Sequence, residues 1–461
     1  MPSHMIDSVL FKDVFSTAQM REIWDDYSIV QNWLDIEVAL AESQAELGII
    51  PKPIAEEIAK KAKVANLDLD VVRADVNRVG HSLVPVLREL QRKCEGKAGE
   101  YIHMGPTTQD IIDTGFMMAA KKAFAIIYDD LYAVEGYLLD LVEKHKDTIM
   151  AGRTHSVQAL PITFGYKAAV WASEVHRHLE RMKECMARDF AGQLSGAVGT
   201  LASFGQHAFE IQERVMRKLG LMVPDICWQA SRDRVVSIVN VLALVAGTLG
   251  KIGNEVVTLQ KTEFSELEEP WAQGNVGSST MPHKRNPNAG EGMYSLSKIV
   301  KANLLMMHES MIQEHERDGA HWKIEWVALP EAFLLTGGIL AKSKKVLKDL
   351  NVNSTKMLEN LNVLKGLLLS EPVMFHLGEK IGKQTAHEVV YQISMKAFQE
   401  GGSFRDYLLN DDRVNKHMTA AEIDRLLDPY AYTGYSREIA ERVLAKGRAA
   451  RCRRSLDFGK R

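Results

Sequence analysis

Cysteine, proline and aromatic residues are all scarce in this chain of 461 residues. It has four cysteines, at positions 94, 185, 227 and 452, and no CxxC pair. This pattern favours reduced thiols in an intracellular protein over a disulfide framework or a zinc site. Aromatic residues make up only 7%, which argues against an all-β chain because strands are rich in aromatic and β-branched residues.

Net charge and long hydrophobic runs are also lacking. The chain has 57 basic and 60 acidic side chains, a net charge of −3, which leaves no bulk positive field for nucleic acid or an anionic membrane. No basic segment followed by an apolar run opens the sequence, so no signal peptide is expected. The most apolar stretch, 235–250, has about 16 residues, fewer than the roughly 20 that span a bilayer. We expect a buried core helix there and a cytoplasmic protein.

The 13 prolines leave gaps of mostly about 40 to 60 residues, and proline breaks helix interiors, so the gaps give room for long helices. Within one gap, apolar residues repeat at alternating spacings of three and four, the seam of a long packed helix. The seam residues are Val235, Ile238, Leu242, Val245, Leu249, Ile252, Val256 and Leu259. Candidate partner helices are 110–146, 164–188, 290–316 and 331–349. These patterns predict an all-α protein built on a long helix bundle.

Three regions are expected: an N-terminal helical domain (1–110), a central long-helix bundle (111–365) and a small helical C-terminal domain (366–461). A helix of about 35 residues spans roughly 50 Å, which is more than a single chain of this size needs as a diameter. Helices of that length favour bundles that pack between subunits.

The segment 274–291, GNVGSSTMPHKRNPNAGE, contrasts with its helical surroundings because it is small, polar and basic. Asn286 followed by Pro287 is a helix-start signal. Backbone N–H groups there, together with Lys284 and Arg285, would form an anion site. The alternative is an ordinary solvated loop with a basic tripeptide.

The string GSSTMPHKRNP in this segment resembles the signature loop of the fumarase/aspartase superfamily, which includes argininosuccinate lyases, adenylosuccinate lyases and bacterial 3-carboxy-cis,cis-muconate cycloisomerases. Two further segments resemble family motifs in the expected order: YIHMGPTTQDIIDT at 101–114 and AGRTHSVQALP at 151–161. Shorter similarities extend the resemblance over nearly the whole chain. It implies a three-domain helical subunit and a homotetramer with a 20-helix core, in which three subunits build each active site.

The resemblance also implies a reaction, an anti β-elimination across a succinyl unit that usually releases fumarate. The intermediate is a doubly charged aci-carboxylate, so the site must gather positive charge and hydrogen-bond donors on one carboxylate. Ser278 matches the general base of the family and His155 matches a general acid of the adenylosuccinate lyases. Lys284 and Asn286 match residues that hold the substrate carboxylate.

Other residues are expected to bind substrate or to support these loops. Thr107 and Thr108 precede a predicted helix, where small donors suit a carboxylate. The remaining substrate-binding candidates are Gln109, His81 and Arg317, and the loop-supporting candidates are Arg153, Ser279, His283 and Arg285. His155 has the alternative of a buried structural histidine, and Arg317 that of a partner for an acidic neighbour. We expect a small dicarboxylate or tricarboxylate substrate and neither a metal nor an organic cofactor.

Different features of the sequence favour different branches of the family. Val14 and Phe15 stand where adenylosuccinate lyases have an Arg-Tyr pair, and Trp326 stands at the position of a phosphate-binding arginine, which disfavours AMP-sized substrates. The HWKIEW and TTQD strings resemble the cycloisomerases, yet those enzymes usually have tryptophan where this chain has His155.

A retained histidine favours a leaving group that needs protonation. We therefore expect C–N cleavage of an N-substituted aspartate with release of fumarate. The cycloisomerase and adenylosuccinate lyase reactions stay as alternatives. A non-catalytic helical oligomer is the alternative of another class, and the joint presence of Ser278, Lys284 and His155 argues against it.

Overall fold

The structure is a computed structural model that describes residues 4–457 except 273 and 275. Helices dominate the described part, which confirms the all-α prediction. The helices are α1 (Lys12–Phe15), α2 (Ala18–Trp24), α3 (Asp26–Glu46), α4 (Lys52–Lys61), α5 (Leu69–Val79), α6 (Leu83–Lys93), α7 (Thr108–His145), α8 (Phe164–Arg188), α9 (Ala208–Leu219), α10 (Asp233–Leu259), α11 (Asn288–Glu309), α12 (Gly319–Lys348), α13 (Ser354–Leu361), α14 (Ser370–Ile381), α15 (Lys383–Glu400), α16 (Phe404–Leu409), α17 (Asp412–Asn415), α18 (Ala420–Leu426) and α19 (Ser436–Asp457). The strands are β1 (Ile149–Thr154), β2 (Val157–Thr163), β3 (Leu267–Glu268) and β4 (Asn351–Val352). They form two antiparallel pairs, β1 with β2 and β3 with β4.

Helix α10 carries the predicted apolar seam. Every seam residue from Val235 to Leu259 is at most 2% exposed, so the seam faces protein along its whole length. By length and composition α10 and α12 could each cross a membrane, yet 72% and 61% of their apolar windows are buried. Burial of this extent is what a core helix has, as predicted for 235–250.

Helix α12 differs from the prediction at its start. It begins at Gly319 and continues through Pro330, whereas the sequence pattern placed a break at that proline. Ala328, Leu329 and Phe333 around it are at most 2% exposed. Burial of this apolar face stabilises the helix and offsets the loss of the one backbone hydrogen bond that proline removes.

The chain divides into two compact units. Unit 1 comprises Met1–Leu131, His178–Gly250 and Gly292–Ala341, and unit 2 comprises Tyr132–Arg177, Lys251–Glu291 and Lys342–Arg461. Within unit 2, residues between Val373 and Ile423 form an apolar core of their own. The domain limits expected at 110 and 365 stay a prediction.

Candidate active site

In unit 1, helix α7 begins directly after Thr107, and a buried carboxylate fixes this start. Asp110 Oδ2 accepts hydrogen bonds from the N–H of Thr107 at 3.0 Å and of Gly196 at 2.8 Å, and Oδ1 accepts one from Gln229 Nε2 at 3.0 Å. Burial raises the pKa of Asp110, while the backbone N–H donors of Thr107 and Gly196 act to lower it. Asp110 is therefore a capping residue that ties two loops to α7.

Four predicted binding residues meet at this helix start. Arg317 Nη1 lies 2.6 Å from Thr107 Oγ1, and His81 Nε2 lies 3.2 Å from Thr108 Oγ1. Gln109, also predicted to bind substrate, is 1% exposed and donates through Nε2 to a backbone carbonyl at 3.2 Å. The structure thus joins two hydroxyl groups, a guanidinium and an imidazole, and turns Gln109 toward the protein interior.

Helix α7 also carries Asp113, a member of a buried ionic triad that was not predicted from the sequence. Arg232 Nη1 donates to Asp113 Oδ2 at 2.8 Å, and Arg232 Nε donates to Glu325 Oε1 at 2.9 Å. The indole N–H of Trp322 also donates to Asp113, at 2.8 Å. Burial alone would lower the pKa of Arg232, but the charges of Asp113 and Glu325 hold it above its ordinary value. The sequence around Arg232 gives no signal for its two acidic partners, which lie 119 and 93 residues away in the chain.

In unit 2, His155 lies at the tip of the β1–β2 hairpin. Thr154 pairs with Val157, so the turn contains only His155 and Ser156. Both have positive φ, 51° and 68°. The two-residue turn whose twist matches that of the paired strands requires positive φ at both positions. Asparagine or glycine usually supplies that backbone, so a histidine here is strained. The His155 side chain is exposed, so the alternative of a buried structural histidine is wrong.

Arg153 anchors this hairpin. It donates to both carboxylate oxygens of Glu266, with Nη1 at 3.0 Å and Nη2 at 2.5 Å, and its guanidinium lies 5.1 Å from the ring of Phe264. The Glu266 side chain is fully buried and also accepts from Asn360 Nδ2 at 2.9 Å. The predicted supporting role of Arg153 thus has a bidentate ion pair as its physical basis.

The signature loop holds Ser278 by its own backbone. Ser278 Oγ accepts the N–H of Met281 at 3.0 Å and that of Thr280 at 3.3 Å. Two N–H donors favour the anionic form of a hydroxyl over the neutral form. This geometry suits a serine that has to take up a proton.

Further contacts shape the loop around Ser278. Asn286 Nδ2 donates to the carbonyl of Gly277 at 2.5 Å, and Arg285 Nη1 donates to Glu268 at 3.0 Å. Three more predicted residues of the loop, Ser279, His283 and Lys284, have exposed side chains. Asn286 and Arg285 therefore brace the loop, and Lys284 is open to an anionic ligand.

The prediction of an anion site at the start of α11 is wrong in one respect, because a carboxylate of the protein already accepts N–H groups there. Glu269 accepts the N–H of Gly290 at 2.5 Å and that of Ala289 at 3.2 Å. The helix begins at Asn288, and the Asn286 side chain turns to Gly277 instead of capping it. Burial raises the pKa of Glu269 while these two N–H groups act to lower it.

Comparisons with known proteins show the family of this chain. The family model described as Lyase matches residues 14–301, and that of the adenylosuccinate lyase C-terminus matches 366–443. Two relatives named N-acetyl-S-(2-succino)cysteine lyase are similar over nearly the full chain. The one from Dickeya dadantii is 44% identical and the one from Enterococcus italicus 46% identical, each over 96% of this chain and 98% of the relative.

A solved structure has the same fold. The 3-carboxy-cis,cis-muconate lactonizing enzyme from Pseudomonas putida superposes with a TM-score of 0.91 at 33% identity, covering 96% of this chain and 99% of that one. Family models, relatives and fold agree with each other and with the three motifs. The chain belongs to the fumarase/aspartase superfamily and is a lyase.

Proposed function

We propose that this lyase cleaves the C–S bond of an S-(2-succino) thioether and releases fumarate and a thiol. The observation that carries the proposal is near full-length similarity to two lyases named for N-acetyl-S-(2-succino)cysteine. The substrate retains the succinyl unit expected from the sequence, but its leaving atom is sulfur instead of the expected nitrogen. A thiol is a better leaving group than an amine, so this elimination asks less of the general acid.

The proposed reaction uses residues of all three motifs. Ser278 removes the proton from the carbon next to one carboxylate, and the electrons move into that carboxylate to give the aci-carboxylate. Lys284, Thr107 and Thr108 supply positive charge and hydrogen-bond donors to the succinyl carboxylates. The carbon–sulfur bond then breaks, the electron pair leaves with sulfur, and His155 protonates the thiolate. Fumarate and one thiol are the products, and no further reactant is consumed.

We also propose that the enzyme is a cytoplasmic homotetramer in which three subunits build each active site. One observation supports this assembly. Helix α7 has 38 residues, and a helix of that length is longer than the diameter that one chain of this size needs.

Trp326 favours a substrate without a nucleotide phosphate. Its ring packs edge-on against Trp322 with centroids 4.9 Å apart, and the side chain is half-buried. An indole carries no charge, so it cannot replace the charge-assisted contact that an arginine gives a phosphate. The match to the adenylosuccinate lyase C-terminus keeps that reaction as the second candidate, and the fold similarity to a lactonizing enzyme keeps cycloisomerisation as the third.

A substrate panel tests the proposal. Purified enzyme is given N-acetyl-S-(2-succino)cysteine, adenylosuccinate, argininosuccinate and 3-carboxy-cis,cis-muconate separately, and fumarate or lactone is measured by chromatography. We expect the highest kcat/KM with the thioether. A higher kcat/KM with adenylosuccinate or carboxymuconate overturns the proposal in favour of that reaction.

A further inference from the structure

The two threonines at the start of α7 each have a side-chain partner. Arg317 Nη1 donates to Thr107 Oγ1 at 2.6 Å, and a guanidinium has no acceptor, so the direction of this bond is fixed. His81 Nε2 lies 3.2 Å from Thr108 Oγ1. The direction of this second bond depends on which ring nitrogen of His81 carries the hydrogen.

The backbone N–H of Val84 identifies that nitrogen. It donates to His81 Nδ1 at 3.2 Å in the first turn of α6. A backbone N–H can only donate, so Nδ1 acts as the acceptor and the neutral imidazole carries its hydrogen on Nε2. Nε2–H therefore donates to Thr108 Oγ1.

A hydroxyl group has one proton and two lone pairs. Because His81 occupies a lone pair of Thr108, the hydroxyl proton remains for another acceptor, and the same holds for Thr107 beside Arg317. The two hydroxyl groups thus offer two donors at the start of a 38-residue helix, where the backbone dipoles also favour an anion.

We propose that His81 is a positioning residue that holds Thr108 as a hydrogen-bond donor to a substrate carboxylate. Both of its ring nitrogens are used within the protein, Nδ1 by Val84 and Nε2 by Thr108, so neither is left to bind substrate. This role replaces the direct contact predicted from the sequence. It rests on the proposed function in so far as a succinyl carboxylate occupies the threonine cluster.

Two substitutions separate the two hydrogen bonds of His81. In His81→Asn the amide oxygen stands close to the position of Nδ1 and can accept from Val84, but no donor reaches Thr108. In His81→Gln the amide nitrogen stands close to the position of Nε2 and can donate to Thr108. Both replacements are uncharged amides of similar polarity. His387→Asn, at an exposed histidine of α15, controls for the loss of an imidazole.

A double-mutant cycle measures whether His81 acts through Thr108. On the substrate that wild type turns over best, we expect His81→Asn to lose about tenfold in kcat/KM and His81→Gln to stay within about threefold of wild type. Thr108→Val should lose at least as much kcat/KM as His81→Asn. The double variant that combines His81→Asn with Thr108→Val should match Thr108→Val alone. Losses that multiply in the double variant would mean that His81 contacts substrate itself. A loss in His81→Gln equal to that in His81→Asn would also overturn the proposal.

Fumarate affinity provides a readout that needs no turnover. Calorimetric Kd values for wild type and the same variants should follow the same cycle, and thermal midpoints check that each variant is folded. Thr108→Ala replaces Thr108→Val in the cycle if the valine variant does not assemble. If wild type binds fumarate but does not cleave the thioether, the proposed substrate fails, and the affinity cycle still decides the role of His81. If wild type binds no fumarate, the positioning role is overturned as well.

Discussion

Ser278 combines an exposed loop with two backbone N–H donors on its hydroxyl oxygen. The proposed base needs both features, because the loop admits substrate and the donors stabilise the alkoxide form. Ser279 lies beside it, and its exposed side chain is expected only to support the loop. The two neighbouring serines are thus a matched pair for mutagenesis.

We predict that Ser278→Ala lowers kcat/KM by at least about a hundredfold, since a positioned base contributes that much or more. Ser279→Ala should lose less than about tenfold. Steady-state fumarate release measures both, and gel filtration checks that the oligomer persists. Turnover by Ser278→Ala within twofold of wild type would remove Ser278 from the role of base.

Most of the site residues predicted from the sequence lie within continuous motifs, and His81 and Arg317 are the exceptions. Ser278, Lys284 and Asn286 lie in one short string, and so do Thr107 and Thr108. The buried triad was missed because its members are far apart in the chain. Arg232 is 119 residues from Asp113 and 93 residues from Glu325, and nothing local in the sequence pairs them.

At the scale of elements, the seam of α10 was predictable because its repeat is local and independent of its partners. The β1–β2 hairpin was not predicted, because its turn of His155 and Ser156 lacks the glycine or asparagine that marks such turns. Strain at this turn must be offset by contacts elsewhere. The ion pair of Arg153 and Glu266 is one contact that holds β1, in addition to its pairing with β2.

We predict that Arg153→Met lowers the free energy of unfolding by about 3 kcal/mol, because it leaves the buried carboxylate of Glu266 without its charge partner. Arg73→Met is the control. Arg73 pairs with Asp70 at 3.0 Å, with both side chains at least 75% exposed, so its loss should cost less than about 1 kcal/mol. Urea denaturation followed by circular dichroism compares the two. Equal losses in both variants would contradict the bracing role of Arg153.

The start of α11 gives a prediction about pH. Burial raises the pKa of Glu269 above its ordinary value, so the folded state holds the proton more tightly than the unfolded state. The contribution of this proton to stability is complete below the ordinary pKa and is lost as pH rises through the raised value. Glu269→Gln removes this titration.

The stability advantage of wild type over Glu269→Gln should therefore shrink as the pH rises from about 4.5 toward neutrality. Urea denaturation at a fixed protein concentration measures both proteins across this range. An advantage that grows with pH would mean that the folded state lowers the pKa of Glu269, and would contradict burial as the dominant cause.

At the scale of the whole molecule, the proposed tetramer predicts complementation between two inactive variants. If His155 and Ser278 of one active site come from different subunits, mixed tetramers of His155→Ala and Ser278→Ala contain intact sites. An equimolar random mixture should regain about one quarter of wild-type activity, because each site needs two independent choices of one half.

Co-expression of the two variants with different affinity tags provides the mixed tetramers, and each variant expressed alone is the control. Activity no higher than the mean of the two controls would show that one subunit supplies both residues. It would contradict the shared site while leaving the chemistry of Ser278 intact.

We propose that this lyase cleaves a succinyl thioether into fumarate and a thiol. The most direct measurement is the product ratio from N-acetyl-S-(2-succino)cysteine, with fumarate measured by chromatography and free thiol by a colorimetric reagent in the same reaction. We predict equal amounts of the two products at all times, and neither product with Ser278→Ala. Thiol release without fumarate, or no release of either by wild type, would contradict the account.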